Sequence, residues 1–237
     1  MGEKVIGIAV GMGPASTIEL MRYIFAATAA RCEQDHIHLV VDSNPKTPDR
    51  TRALLGEGES PVPAIRASIG RLSAAGADLV LIPCNTAHAF YDELAASTDV
   101  PVLNMIELCA RAARERYGEG EVLGILATTG TVRADLYGAA LRRHGLRAVV
   151  PTSGGQEDLM QAIYGPRGIK AGELDGNGPV VRGLGTELIG RGARAVVAAC
   201  TEVGLVLGDA GFPVIDPLRL LAEEAVRQVK GSPVSEG

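Results

Sequence analysis

Short apolar runs and longer segments with apolar residues three or four apart alternate along the chain. The runs at 5–10 (VIGIAV), 37–42 (IHLVVD), 79–82 (LVLI), 122–127 (VLGILA), 147–151 (RAVVP), 195–199 (AVVAA) and 213–215 (PVI) are bounded by Gly, Pro or Asp and predict strands. Ala/Leu/Arg-rich stretches at 15–31, 61–75, 105–117, 131–144 and 179–191 predict helices between them. Strands that alternate with helices make parallel sheets with helical crossovers, an α/β fold.

The second half of the chain echoes the first. VIGIAVGMG from Val5 aligns with VLGILATTG from Val122, an offset of 117. GADLVLIPC, ending at Cys84, aligns with GARAVVAAC, ending at Cys200, at 116, and PVLNMIELCARAA from Pro101 aligns with PVIDPLRLLAEEA from Pro213 at 112. Three matches in one order at nearly one offset predict two similar α/β lobes related by internal duplication. The expected division puts 1–104 with 217–237 in the first lobe and 105–216 in the second. Ligands of parallel sheets bind beyond the carboxyl ends of the strands. Two such lobes face one cleft, and Cys84 and Cys200 sit at equivalent strand ends beside it.

Composition narrows the class. The 237 residues suffice for a large core, built from Ala, Val, Leu and Ile because aromatics are only 3% and Trp is absent. Net charge is −5, with no block of Lys and Arg, which argues against a nucleic-acid partner. No apolar run has the length of a membrane span. The amino-terminal MGEKVIGIAVGMGP fits neither a secretion signal nor, lacking Ser or Thr at position 6, an acylation site. A cytoplasmic protein with four reduced thiols is the expectation.

The four cysteines divide into two kinds. Cys32 and Cys109 lie in helix-like stretches and read as inert packing. Cys84 and Cys200 each end an apolar strand and precede polar residues, NTAH and TEVG, that open the next helix. Amide N–H groups and the dipole at a helix start favour a thiolate. Reducing conditions oppose a disulfide between them, and zinc-ligand spacings are missing. His36-Ile37-His38 reads as a solvated strand edge more than a metal pair. A Cys84–His88 hydrolase leaves Cys200 unexplained, and His88 serves equally as a cap on its own helical turn. Two thiols across a small cleft suit proton removal from one face of a carbon and proton delivery to the other, which inverts it without a cofactor.

At GMGPAST (11–17), DSNPKTPDRT (42–51), IPCNTAH (82–88), LATTGTVRADLY (126–137), IYGPRGIKAG (163–172) and ACTEVGL (199–205) the chain resembles the cofactor-independent aspartate/glutamate racemases, in their aspartate racemase branch. The resemblance implies two lobes around the active site, a homodimer, no cofactor and no metal. It implies Cys84 and Cys200 as acid/base thiols. Asn85, Thr86, Thr128, Gly130, Thr131 and Thr201 correspond to the groups that hold the α-carboxylate and amine, Met12 and Gly13 to the cleft loop, and Arg50 and Lys170 to the cations for a second carboxylate. The role of Glu202 does not follow from the sequence. Val10, Ser16 and the stretch TEVGLVL depart mildly from the family pattern. The expected activity is racemisation of a small acidic amino acid, aspartate before glutamate. Two alternatives stay open: a maleate-type cis–trans isomerase with one nucleophilic thiol, and a non-catalytic amino-acid-binding protein.

Overall fold

The computed structural model describes residues 3–231. Met1, Gly2 and residues 232–237, all counted with the first lobe, lie outside it. The elements run β1 (Val5–Val10), α1 (Pro14–Ala27), β2 (His38–Ser43), α2 (Arg50–Leu54), α3 (Val62–Ala74), β3 (Leu79–Leu81), α4 (Tyr91–Ala95), α5 (Met105–Tyr117), β4 (Val122–Ala127), α6 (Thr129–Arg133), α7 (Leu136–Arg143), β5 (Arg147–Val149), α8 (Ser153–Tyr164), α9 (Gly178–Gly190), β6 (Ala195–Ala199), α10 (Thr201–Leu207), β7 (Val214–Ile215) and α11 (Pro217–Lys230). Single 3₁₀ turns occupy Glu33–Asp35, Thr86–Phe90 and Ile169–Ala171.

The strands form two parallel sheets, ordered β2-β1-β3 and β5-β4-β6-β7. Where the second sheet has β7, the first has a lone parallel bridge from Val102 to Val80. The registers correspond as well. Ile6 pairs with Leu79 in the first sheet and Leu123 with Ala195 in the second, the positions related by the sequence echo.

Period-two alternation sorts the side chains of each sheet into two layers. Ile6, Ile8, Leu79 and Leu81 of one sheet, and Leu123, Ile125, Ala195 and Val197 of the other, share one core with α1, α5, α7 and α11. The opposite faces have their own clusters. Val80, Ile82 and Cys84 meet Ile65, Ile69 and Leu72 of α3. Val196, Ala198 and Cys200 meet Leu159 of α8, Leu188 of α9 and Val203 of α10. The two thiols therefore continue equivalent faces of equivalent strands.

The helices that join the sheets are built alike. Leu218, Leu221, Ala222, Ala225 and Val226 make a buried stripe on α11, while Met105, Ile106, Cys109, Ala110 and Ala113 do so on α5. Each starts on a side-chain cap: Asp216 Oδ1 accepts from the Leu218 amide, and Asn104 Oδ1 from those of Ile106 and Glu107.

Gly7 and Gly124 hold equivalent central positions because a helix crosses close above each. A Cβ on Gly7 would lie 2.9 Å from Ala77 Cβ and 3.1 Å from Leu72 Cβ; on Gly124 it would lie 2.9 Å from Leu188 Cβ and 3.4 Å from Ala193 Cβ. Valine normally suits a strand better than glycine. Here Gly124→Val should instead destabilise by about 1–3 kcal/mol through overpacking. Denaturant titration checks this, and an unchanged or higher midpoint contradicts the close-crossing account.

Three expectations are corrected. The single helix at 131–144 breaks at Asp135, whose left-handed backbone (φ 50°) separates α6 from α7 while its carboxylate engages Arg142. The first helix stops at Ala27, where Thr28 turns extended and its hydroxyl donates to the Ile24 carbonyl at 2.7 Å. Cys32 lies past that end and is exposed, not packed within a helix. Cys109 is fully buried in α5. Among the described residues, no helix is long and apolar enough to cross a membrane.

Candidate active site

Both thiols reach one small cavity. Its lining is Met12, Arg50, Cys84, Asn85, Thr86, Thr128, Tyr164, Lys170, Cys200, Thr201 and Glu202, eleven residues drawn from both lobes. The cavity measures about 10 Å³, the space of one water. It adjoins a larger one of about 480 Å³, and Met12, Arg50, Tyr164, Lys170 and Glu202 line both. A cavity of about 530 Å³ beside Tyr23, Asp216 and Arg219 contains neither thiol.

Nine of the twelve residues expected at the site line the inner cavity. The other three stand behind or beside it. Gly13 lines the outer cavity, and a Cβ there would meet Glu202 Oε1 at 2.1 Å, so its bare backbone makes room for that carboxylate. Gly130 faces Thr51, with a hypothetical Cβ 2.9 Å from the Thr51 Cα, so it lets α6 approach α2. Thr131 supports the lining. Its hydroxyl lies 3.0 Å from that of Thr86 and 3.1 Å from that of Thr128, which are themselves 3.0 Å apart.

On the Cys84 side, the chain leaves β3 through Pro83 and turns into the 3₁₀ segment at Thr86. Asn85 is 2% exposed, and its carbonyl oxygen accepts from the Tyr137 hydroxyl at 2.5 Å. That bond fixes the amide orientation and leaves Asn85 Nδ2 without a partner, a buried donor at the cavity. Arg50, 7% exposed, donates to the Met12 carbonyl at 3.2 Å and the Pro48 carbonyl at 3.1 Å, while its Nε is unpaired. Burial opposes the guanidinium charge; attraction to Cys84 leads the opposing effects, and the balance holds its pKa above the usual value.

His88 is no base for Cys84. Its Nε2 accepts from the Met105 amide at 3.2 Å, so Nδ1 carries the hydrogen and donates to the Cys84 carbonyl at 2.9 Å. Burial depresses its pKa and keeps the ring neutral. The imidazole ties the thiol loop to the first turn of α5.

On the Cys200 side, β6 passes directly into α10, with Cys200 at the helix cap. Its Sγ donates to Glu202 Oε2 at 3.1 Å. Burial, and next the Glu202 charge, push this thiol well up, overriding the helix start expected to favour a thiolate. Glu202 is 3% exposed and accepts from Lys170 Nζ at 2.6 Å through Oε1 and from the Thr201 hydroxyl at 3.1 Å through Oε2. Burial opposes its charge, but Lys170 and the hydrogen bond from Cys200 together hold the carboxyl below the usual range. Lys170 also donates to the Met12 carbonyl at 3.1 Å and lies 5.4 Å from the centre of the Tyr164 ring.

Sequence reasoning passed over Tyr164 and Tyr137, which stand inside recognised motifs with no spacing that marks them. It treated Ser16 as a mild departure, yet the Ser16 hydroxyl donates to Thr201 Oγ1 at 2.8 Å and reaches Glu202 at 3.5 Å. Among the described residues no three His, Cys, Asp or Glu side chains gather as a metal-ligand set.

The two-lobed α/β scaffold thus gathers two thiols, two cations and the unpaired Asn85 and Arg50 donors around one cavity. Residues 10–225 match the Asp/Glu/hydantoin racemase family model, and the chain belongs to that family. It is 27% identical over 228 residues to the broad specificity amino-acid racemase RacX of Bacillus subtilis (strain 168), covering 94% of this chain and 96% of that protein. It superposes on the aspartate racemase of Picrophilus torridus with a TM-score of 0.84 and 30% identity, over 96% of this chain and 94% of that one. The glutamate racemase of Francisella tularensis subsp. tularensis SCHU S4, solved in complex with D-glutamate, shares the fold at a TM-score of 0.70 and 12% identity, over 96% of this chain and 81% of that one. Amino-acid racemisation is the reaction class these relatives define.

Proposed function

We propose that the protein is a cofactor-independent racemase of small acidic amino acids, aspartate before glutamate, in which Cys84 and Cys200 exchange a proton at opposite faces of Cα. The carrying observation is that the two thiols leave equivalent strand ends and line one cavity together with Arg50, Lys170 and the unpaired amide of Asn85. One thiolate removes the Cα proton, the developing carbanion is spread into a carboxylate held by Asn85 and the threonine hydroxyls, and the other thiol returns a proton. Arg50 is the cation offered to the second carboxylate.

A broader substrate range is the second reading, favoured by one observation. Lys170 is already paired with Glu202, which leaves less free positive charge for a second carboxylate.

Solvent deuterium incorporation at Cα, read by NMR over L- and D-aspartate, glutamate, alanine and serine, tests both. Exchange with loss of optical purity for the acidic pair alone supports the first reading, and comparable exchange across the panel supports the second. Activity that requires added pyridoxal phosphate overturns the cofactor-free mechanism. An adduct at one cysteine without Cα exchange would indicate the cis–trans isomerase, and binding without exchange the amino-acid-binding protein.

A further inference from the structure

Glu202 holds an unusual place for a carboxylate: it is buried, beside a thiol, and bonded to that thiol, a lysine and a threonine at once. A buried anion of this kind is costly unless paired. Lys170 supplies the pairing, Ser16 and Thr201 fix the carboxylate plane, and Gly13 leaves the space. Together these contacts hold Glu202 Oε2 on the Cys200 sulfur.

The two thiols thus stand in opposite electrostatic settings. Cys200 donates its hydrogen to an anion, whereas Cys84 shares the cavity with the Arg50 guanidinium and has no carboxylate among the cavity residues except Glu202 itself. We propose, on the racemase reading above, that Glu202 is a positioning residue that assigns the resting proton to Cys200, making Cys200 the acid and Cys84 the base of the first half-reaction. The substrate's Cα proton passes to the Cys84 thiolate, and Cys200 gives its S–H proton to the opposite face of the carbanion. The product leaves with the enzyme's proton moved from Cys200 to Cys84. Solvent exchange of that proton restores the resting form. The enantiomer whose Cα–H faces Cys84 therefore binds the major resting form of the enzyme.

Every charged or titratable group that faces Cys200 enters the argument. Glu202 comes from α10, Lys170 from the 3₁₀ turn at 169–171, Tyr164 from α8, Tyr137 from α7, Arg50 from α2 and Cys84 from the loop after β3. Both tyrosines have pKa values raised by burial and remain neutral near pH 7. Glu202 is then the anion that favours the Cys200 thiol, opposed chiefly by Lys170.

Two substitutions with opposite expected signs test this. Iodoacetamide modification of each cysteine is followed by peptide mass spectrometry across pH. In the unaltered protein Cys84 is modified ahead of Cys200 at pH 7. Glu202→Gln keeps the shape of the side chain but removes the anion and leaves Lys170 in place, so Cys200 modification at pH 7 should rise about tenfold or more, as for a thiol pKa lowered by one unit or more. Lys170→Met, read at alkaline pH where Glu202 stays ionised without its partner, should slow it by a similar factor. A merely structural role, in which either change loosens the site, would move both rates in the same direction. Cys84 modification serves as the internal reference in each variant. Cys200 modified ahead of Cys84 in the unaltered protein, or rates that move together in the two variants, overturns the assignment. So does an unchanged Cys200 pH profile in folded Glu202→Gln. Turnover is not needed for any of these readings, so absent Cα exchange would overturn the racemase function while leaving the thiol assignment to be read separately.

Discussion

Cys84→Ser and Cys200→Ser should each lose racemisation in both directions, by about 10²–10⁴-fold in kcat/KM, the usual weight of a positioned acid or base. Serine nearly preserves size, and the sites are 7% and 6% exposed, so packing changes little. What is lost is the sulfur that takes or gives the Cα proton, which a hydroxyl, a far weaker acid, does not replace. The loss must be equal for the two enantiomers, because they have equal free energy and kcat/KM in the two directions is bound to the same ratio. Asymmetry shows elsewhere. With Cys200 replaced, the enantiomer whose Cα–H faces Cys84 should still wash in solvent deuterium with retained configuration, and the mirror enantiomer should not. With Cys84 replaced, the pattern should reverse. Chiral chromatography with mass detection reads both quantities. Near-full racemisation by either variant, or exchange of both enantiomers by one of them, would end the two-thiol mechanism.

The strands were legible because buried parallel strands are written as unbroken apolar runs, and their parallel sense followed from helix alternation. The pairing of Cys84 with Cys200 was legible only through the echo: register, face and glycine crossings at Gly7 and Gly124 repeat along with the sequence. Local breaks were less visible. α8 carries two glycines in its first turn and starts on the Thr152 cap, and Asp135 splits a stretch whose apolar spacing runs on. Glu202 shows most clearly what a linear reading lacks. Its partner Lys170 lies 32 residues upstream, its space comes from a missing Cβ at Gly13, and its tether Ser16 belongs to the other lobe. No spacing rule joins those positions. The helix-start argument that favoured a thiolate at Cys200 failed for the same reason, since it counted the backbone dipole and not the carboxylate two residues on.

Arg50→Met should lower kcat/KM for aspartate by about 10- to 100-fold, the loss of one to two hydrogen bonds to a charged group. Most of it should appear in KM, because the guanidinium holds the substrate and does not move a proton. The size follows from the environment of the side chain. Arg50 is buried, its two terminal nitrogens are anchored on backbone carbonyls of Met12 and Pro48, and its Nε has no partner. A carboxylate arriving there meets a cation already desolvated and oriented, so little further ordering is required. Lysine would not substitute. It presents one compact charge in place of a planar fork, and Lys170 shows what a buried ammonium does here, which is to bind Glu202 and the Met12 carbonyl. The comparison with alanine as substrate identifies which carboxylate Arg50 takes. If it holds the second one, KM for alanine stays within about threefold while KM for aspartate rises. If it holds the α-carboxylate, both rise together, and the acidic preference must come from Lys170 once Glu202 yields it. Thermal unfolding of the variant separates this from lost stability, because the Pro48 carbonyl loses the Arg50 donor in either case, while Met12 keeps Lys170.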